Sequence, residues 1–128
     1  MSEKVIINTE NAPAAIGPYN QAILADKTLY VSGQIPLVAE TMELINSGIE
    51  DETHQVFKNI KAILTQASYS LEDVVKVSIF LSDMDNFTTV NQIYAQYFSS
   101  NQPARECVAV KTLPKNVNIE ISVIAWKA

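Results

Sequence analysis

Two stretches of this chain are apolar on both faces of an extended backbone, and they restrict the fold more than any other feature. Val75, Val77, Ile79 and Leu81 alternate with Val74 and Phe80, and Ile119, Ile121 and Val123 alternate with Ile124 and Trp126. A strand of this kind must be covered on both sides. Only two segments of the chain have helical period. Two helices cover one face of a sheet, so the other face needs a second apolar surface. The obvious source is another copy of the chain, packed sheet against sheet in a closed ring.

The remaining segments follow from local signals. Val5-Ile6-Ile7 is a short strand. Asn8 to Asn20 is a loop punctuated by Asn11, Pro13, Gly17 and Pro18. It carries Ala12, Ala14, Ala15, Ile16 and Tyr19, too apolar for a solvated connection and suited to walling a site. Gln21 to Ala25 and Lys27 to Ser32 read as strands around a turn at Asp26-Lys27, and Gly33 after them permits close backbone approach or a positive φ. Leu37 to Asn46 is irregular. Ser47-Gly48-Ile49-Glu50 has the form of a capping box. Ile49, Thr53, Val56, Ile60, Ile63, Leu64 and Ala67 then recur at helical spacing, with Glu50, Asp51, Glu52, Gln55, Lys58, Asn59 and Lys61 assigned to the solvated face. After the strand Val74 to Leu81, Ser82-Asp83-Met84-Asp85 starts a second helix through Phe87, Val90, Ile93, Tyr94, Tyr97 and Phe98. Two strands follow, Pro103 to Val110 and Asn118 to Val123. The expected order is β-β-β-α-β-α-β-β, an α/β (α+β) arrangement with one mixed sheet and both helices on one face.

Composition narrows the function. The 128 residues make a single domain over 1–128, 48% hydrophobic, so a disordered chain is excluded. A net charge of −5 with scattered basic residues argues against a nucleic-acid binder. One cysteine makes no internal disulfide, which fits a reducing, cytoplasmic location. Met1-Ser2-Glu3-Lys4 leads into too few apolar residues for a signal peptide, and no apolar stretch is long enough to span a membrane. A lone His54 and a lone Cys107 do not make a zinc set. With three glycines there is no phosphate loop or dinucleotide fingerprint.

The candidate chemistry centres on Arg105 and Glu120. The turn signal Thr112-Leu113-Pro114-Lys115-Asn116 lets their strands pair as a hairpin, which would bring guanidinium and carboxylate into one neighbourhood. Arg105 offers a rigid fork of donors suited to a carboxylate, though a surface ion pair with Glu106 or Glu120 is its ordinary fate. Glu120 alternates with Ile119 and Ile121, so it is either an outward solvated residue or a proton-transfer group in a pocket. Cys107 is ordinarily a small buried hydrophobe, Ser32 a strand-end hydroxyl bound to backbone, Tyr19 loop packing and Asn91 a solvated helix residue.

Several motifs, in order along nearly the whole chain, resemble the RidA (YjgF/YER057c/UK114-type) family. They are Asn11-Ala12-Pro13-Ala14-Ala15-Ile16-Gly17-Pro18-Tyr19, Ser32-Gly33-Gln34-Ile35-Pro36, Asp83-Met84-Asp85-Asn86-Phe87 with Val90-Asn91 and Tyr94, Pro103-Ala104-Arg105 with Cys107-Val108, and Leu113-Pro114-Lys115. The resemblance implies a chorismate-mutase-like fold, a homotrimer with clefts between subunits, and enamine/imine deaminase activity without a cofactor or metal. The substrates implied are 2-iminobutanoate and 2-iminopropanoate, formed from the enamine products of pyridoxal-phosphate dehydratases and hydrolysed to 2-keto acids and ammonia. On that resemblance Arg105 holds the substrate carboxylate and Glu120 orients or activates the attacking water. The Cys107 backbone, Gly33 and Ser32 line the cleft, and Tyr19 and Asn91 close it. The alternative is a small-ligand-binding regulatory trimer acting on amino-acid metabolism or through a protein partner. An endoribonuclease is a third reading, disfavoured by the acidic charge. Three positions depart from the family pattern: Glu106 stands where a small or apolar residue is expected, Gln102 where an aromatic or basic one is common, and Met42 at a turn that often has Gly.

Overall fold

A computed structural model describes residues 3–128, so the first two residues of the N-terminal reading lie outside it. The elements are β1 (Lys4–Ile7), β2 (Ala22–Ala25), β3 (Thr28–Gln34), α1 (Ile49–Gln66), β4 (Val74–Leu81), α2 (Phe87–Tyr97), β5 (Ala104–Ala109) and β6 (Ile119–Trp126). This is the expected order, in one mixed six-stranded sheet ordered β1-β2-β3-β6-β4-β5. The turn at Asp26-Lys27 places Asp26 in the left-handed region, φ 58°, a conformation that Asp tolerates better than most residues. Met42 takes φ 59° in the irregular stretch, which explains why a Gly suits that turn; a bulky side chain there costs on the order of 1 kcal/mol.

The core lies between sheet and helices. Val56, Phe57, Ile60, Ile63 and Leu64 of α1 are fully buried with Val77, Ile79 and Leu81 of β4 and Ile119, Ile121 and Val123 of β6. Each such side chain contributes about 1.5–3 kcal/mol through removal from water. A smaller cluster of Ile35, Leu37, Leu113 and Val117 sits under the loops beside β3 and β6.

The other face of the sheet stays open. Ile6, Ile23, Tyr30 and Ile124 stand side by side across β1, β2, β3 and β6, with Ile6 60% and Tyr30 51% exposed. Trp126 and Val108 add to the exposed apolar surface. A stripe of this extent is the mark of an interaction surface. It is the two-faced apolarity of the sequence made visible.

Three sequence expectations are overturned. First, β5 and β6 do not form a hairpin. β5 pairs parallel with β4, and β6 lies between β3 and β4, antiparallel to both. The α2 crossover returns β5 beside β4 in the same direction, and the apolar β6 takes the central position where both its neighbours are strands. The polar, exposed β5 is left at the edge. Second, the cap of α1 is Gly48, with no side-chain cap; Ser47 donates to the Asp51 carboxylate at 2.7 Å instead. Third, Glu52 and Asn59 do not face solvent. They are 3% and 0% exposed, for reasons that belong to the site.

Candidate active site

Glu120 is the first of the two candidate residues to place. It lines a hollow of about 440 Å³ with Tyr19, Gln21, Ser32, Gly33, Ile35 and Pro114, among others. β3 carries a bulge between Val31 and Gln34, and bulges re-aim a strand next to a site. Gly33 sits in that irregularity, and the Glu120 side chain lies across it. A Cβ at Gly33 would stand 2.8 Å from Glu120 Cδ and closer still to Oε2. Close approach, rather than a positive φ, is what requires glycine here. Burial raises the Glu120 carboxyl above its ordinary range, and no side chain among the described residues donates to it. Such a group exchanges protons closer to neutrality than an ordinary glutamate does.

Ser32 behaves as the ordinary reading expected, its hydroxyl donating to the Asn20 carbonyl at 2.7 Å. Tyr19 is 47% exposed at the rim, and its hydroxyl accepts from the Ile16 amide at 3.3 Å. The apolar loop does form a wall, as its composition suggested.

The other candidate, Arg105, is not in that hollow. It aligns with Val77 of β4, on the helix-covered face, whereas Glu120 alternates with the buried Ile119 and Ile121 and points to the open face. The expectation that one hairpin gathers both residues is therefore wrong within a chain: they lie on opposite faces, with β4 between their strands. Arg105 Nη1 donates to Asn91 Oδ1 at 2.7 Å, and the guanidinium lies 4.7 Å from the Tyr94 ring centre and 5.8 Å from that of Phe87. It pairs with neither Glu106 nor Glu120. Glu106 is on the opposite face from Arg105, bound by Ser78 and by Lys76 at 3.3 Å; these hold its carboxyl below the usual range, so its charge is answered locally. Cys107 follows Arg105 on the same face, half-buried, and burial pushes its thiol up. A half-buried thiol held in its neutral form agrees with its reading as a small hydrophobe.

Among the described residues, no cluster of three or more His, Cys, Asp or Glu could hold a metal ion, and no helix is long and apolar enough to cross a membrane. Residues 9–127 match the family model described as endoribonuclease L-PSP. The chain belongs to the RidA (YjgF) family. It is 52% identical to a RutC family protein of Pyrococcus horikoshii, over 97% of this chain and 98% of that one. It is 46% identical to the human protein named 2-iminobutanoate/2-iminopropanoate deaminase, over 94% and 88%. The fold superposes on the crystal structure of E. coli TdcF with bound serine with a TM-score of 0.93, at 38% identity and with 97% and 99% of the two chains covered. The mixed sheet with two helices is thus the RidA family fold.

Sequence reasoning missed the residues that hold the hollow of this RidA-family chain in shape. Gln21 is 2% exposed. Its amide donates to the carbonyls of Thr9, Ala12 and Pro13 at 3.0, 3.2 and 2.8 Å, and its Oε1 accepts from the Thr9 amide at 2.6 Å. One side chain thereby ties the start of the loop wall to β2. Asn59 of α1 donates to the carbonyls of Ile35 and Leu37 at 3.2 and 2.9 Å and accepts from Gln55 at 2.9 Å. Glu52 accepts from the Asn118 side chain at 2.9 Å, fixing the chain two residues before Glu120. A signal was available: Glu52, Val56, Asn59 and Ile63 recur at spacings of four, three and four, which is the apolar stripe of the helix.

Proposed function

We propose that the protein is a homo-oligomeric, most plainly trimeric, deaminase that hydrolyses 2-imino acids to 2-keto acids and ammonia. The observation that carries this reading is Glu120: a half-buried carboxyl with no side-chain donor among the described residues, raised by burial, laid over Gly33 in a hollow of about 440 Å³. The name of the human relative supports the reaction class.

Each site is completed by two copies. The open apolar face carries Glu120 and calls for a covering surface, and Arg105 stands at the edge strand on the other face. Packing copies around a closed ring brings the Arg105 edge of one against the hollow of the next. Arg105 neutralises the substrate carboxylate and fixes the imine carbon. Water adds to that carbon, Glu120 takes its proton and passes a proton to nitrogen, and the carbon–nitrogen bond of the carbinolamine breaks to give keto acid and ammonia. One water is consumed and nothing is oxidised. The electrophilic imine needs only orientation and proton transfer.

The test couples the protein to a pyridoxal-phosphate threonine dehydratase and follows imine decay by semicarbazide trapping. Wild type accelerates keto-acid release, whereas Arg105→Ala and Glu120→Ala do not. Refolding the two inactive variants together at equal amounts restores roughly a quarter of the wild-type sites, because each site then draws on two chains. No acceleration by wild type rejects the reading; no recovery in the mixture rejects the shared site.

A second reading, a ligand-sensing oligomer, is favoured by one finding, the serine bound to the TdcF relative. Tight binding of a small amino or keto acid with no acceleration of imine decay would select it. For an endoribonuclease, the description of the family model stands against a net charge of −5 that repels RNA.

A further inference from the structure

We propose that Tyr94 is a positioning residue for Arg105, its ring face setting the plane of the guanidinium before any carboxylate arrives. The proposal rests on the carboxylate-holding role given to Arg105 above.

Arg105 is exposed on an edge strand. A long side chain so placed would sample many rotamers, and ordering it on binding would weaken affinity. Here three groups from one helix face meet it. Phe87, Asn91 and Tyr94 are spaced by four and three residues along α2, and all three contact the guanidinium. Asn91 fixes one Nη by a single hydrogen bond, which leaves rotation about that bond free. A ring against the guanidinium plane removes that rotation.

Tyr94 is suited to this because it is packed into the core. It is 6% exposed and wedged between Phe57, whose ring centre is 6.2 Å away edge-on, and Phe98 at 4.8 Å. Phe57 is a fully buried core residue. The guanidinium therefore rests on a surface continuous with the hydrophobic core. The Tyr94 hydroxyl is buried and has no partner among the described residues. Phenylalanine at this position keeps the ring and removes an unpaired polar atom, whereas leucine keeps bulk and removes the ring. The two substitutions separate a ring-face role from simple filling.

Arg105 is the only arginine in the chain, so its Nε and two Nη groups give the single guanidinium signal set of an arginine-selective nitrogen NMR spectrum. In wild type and Tyr94→Phe that signal is displaced by ring currents and shows hindered rotation. In Tyr94→Leu it moves to the position of free arginine and averages. The affinity for 2-oxobutanoate, measured by calorimetry, is unchanged in Tyr94→Phe and falls about three- to tenfold in Tyr94→Leu, the range of a cation–π contact. Phe87→Leu, at the longer contact, gives a smaller change in the same direction and serves if Tyr94→Leu does not fold. A Tyr94→Leu protein with wild-type amide spectrum, guanidinium signal and affinity overturns the proposal. If wild type binds no 2-oxobutanoate, the role of Arg105 falls, and the guanidinium signal still decides what Tyr94 does.

Discussion

Replacing Gly33 with alanine isolates the placement of Glu120 from the stability of the fold. The Gly33 backbone is not in the left-handed region, so alanine is not strained by its own φ. The whole effect comes from the new Cβ, which would stand 2.8 Å from Glu120 Cδ and 3.1 Å from Cγ. Carbon atoms settle at about 3.5–4.0 Å, so the carboxylate must move by about 1 Å. It sits at the end of a flexible side chain, and an off-rotamer adjustment costs about 0.5–1.5 kcal/mol. A misplacement of about 1 Å at a reacting centre costs on the order of 10²-fold in rate. We expect Gly33→Ala to melt within a few degrees of wild type and to lose about 100-fold in kcat for imine hydrolysis. In a Glu120→Ala background, which has no activity left to lose, the same change should leave the melting temperature unmoved, since the clash is gone. Imine trapping and thermal melts of the two single variants and the double variant give both quantities. A Gly33→Ala enzyme with wild-type kcat, or a drop in melting temperature that persists in full in the Glu120→Ala background, refutes the reasoning.

Two further outcomes follow from groups the site depends on. Gln21→Leu strands the carbonyls of Ala12 and Pro13 and the amide of Thr9; at about 1 kcal/mol each it should lower stability by about 2–3 kcal/mol, read in a denaturant titration, and raise KM through the loosened loop wall. Glu120 has its folded-state carboxyl raised by burial, so the folded protein holds that proton more tightly than the unfolded chain does. Its contribution is fully present below the unfolded carboxyl range and is lost as pH rises through the raised folded value. Glu120→Gln should therefore raise the melting temperature at pH 7 relative to wild type and do so less at pH 4; an equal gain at both would count against a buried carboxyl.

Much of this could be read from sequence, and the failures share one cause. The strands and helices announced themselves through periods of two and 3.6, and the loop wall through its alanines, because those signals are local. Pairing is not local. The link from β5 to β6 was short enough for a hairpin, and nothing within it disclosed that β4 would intervene. That was decided by competition for the central position, which β6 wins because six of its eight residues are apolar, whereas β5 is polar at Arg105 and Glu106 and mostly exposed. The buried polar residues were missed for a related reason: Asn59 and Gln21 look solvated until the carbonyls they hold, supplied by segments remote in sequence, are known. Once register is known, simple parity places the two candidate residues. Arg105 aligns with Val77, and Val77 with Val123. Val123 lies 123 − 120 = 3 positions from Glu120 on the same strand, an odd number, so the two side chains must emerge on opposite faces. On the proposed function, a fork on one face and a carboxylate on the other serve one small substrate only where the β5 edge of one copy meets the hollow of the next. In the function proposed above, the copy that covers the open apolar stripe is also the one that supplies the fork.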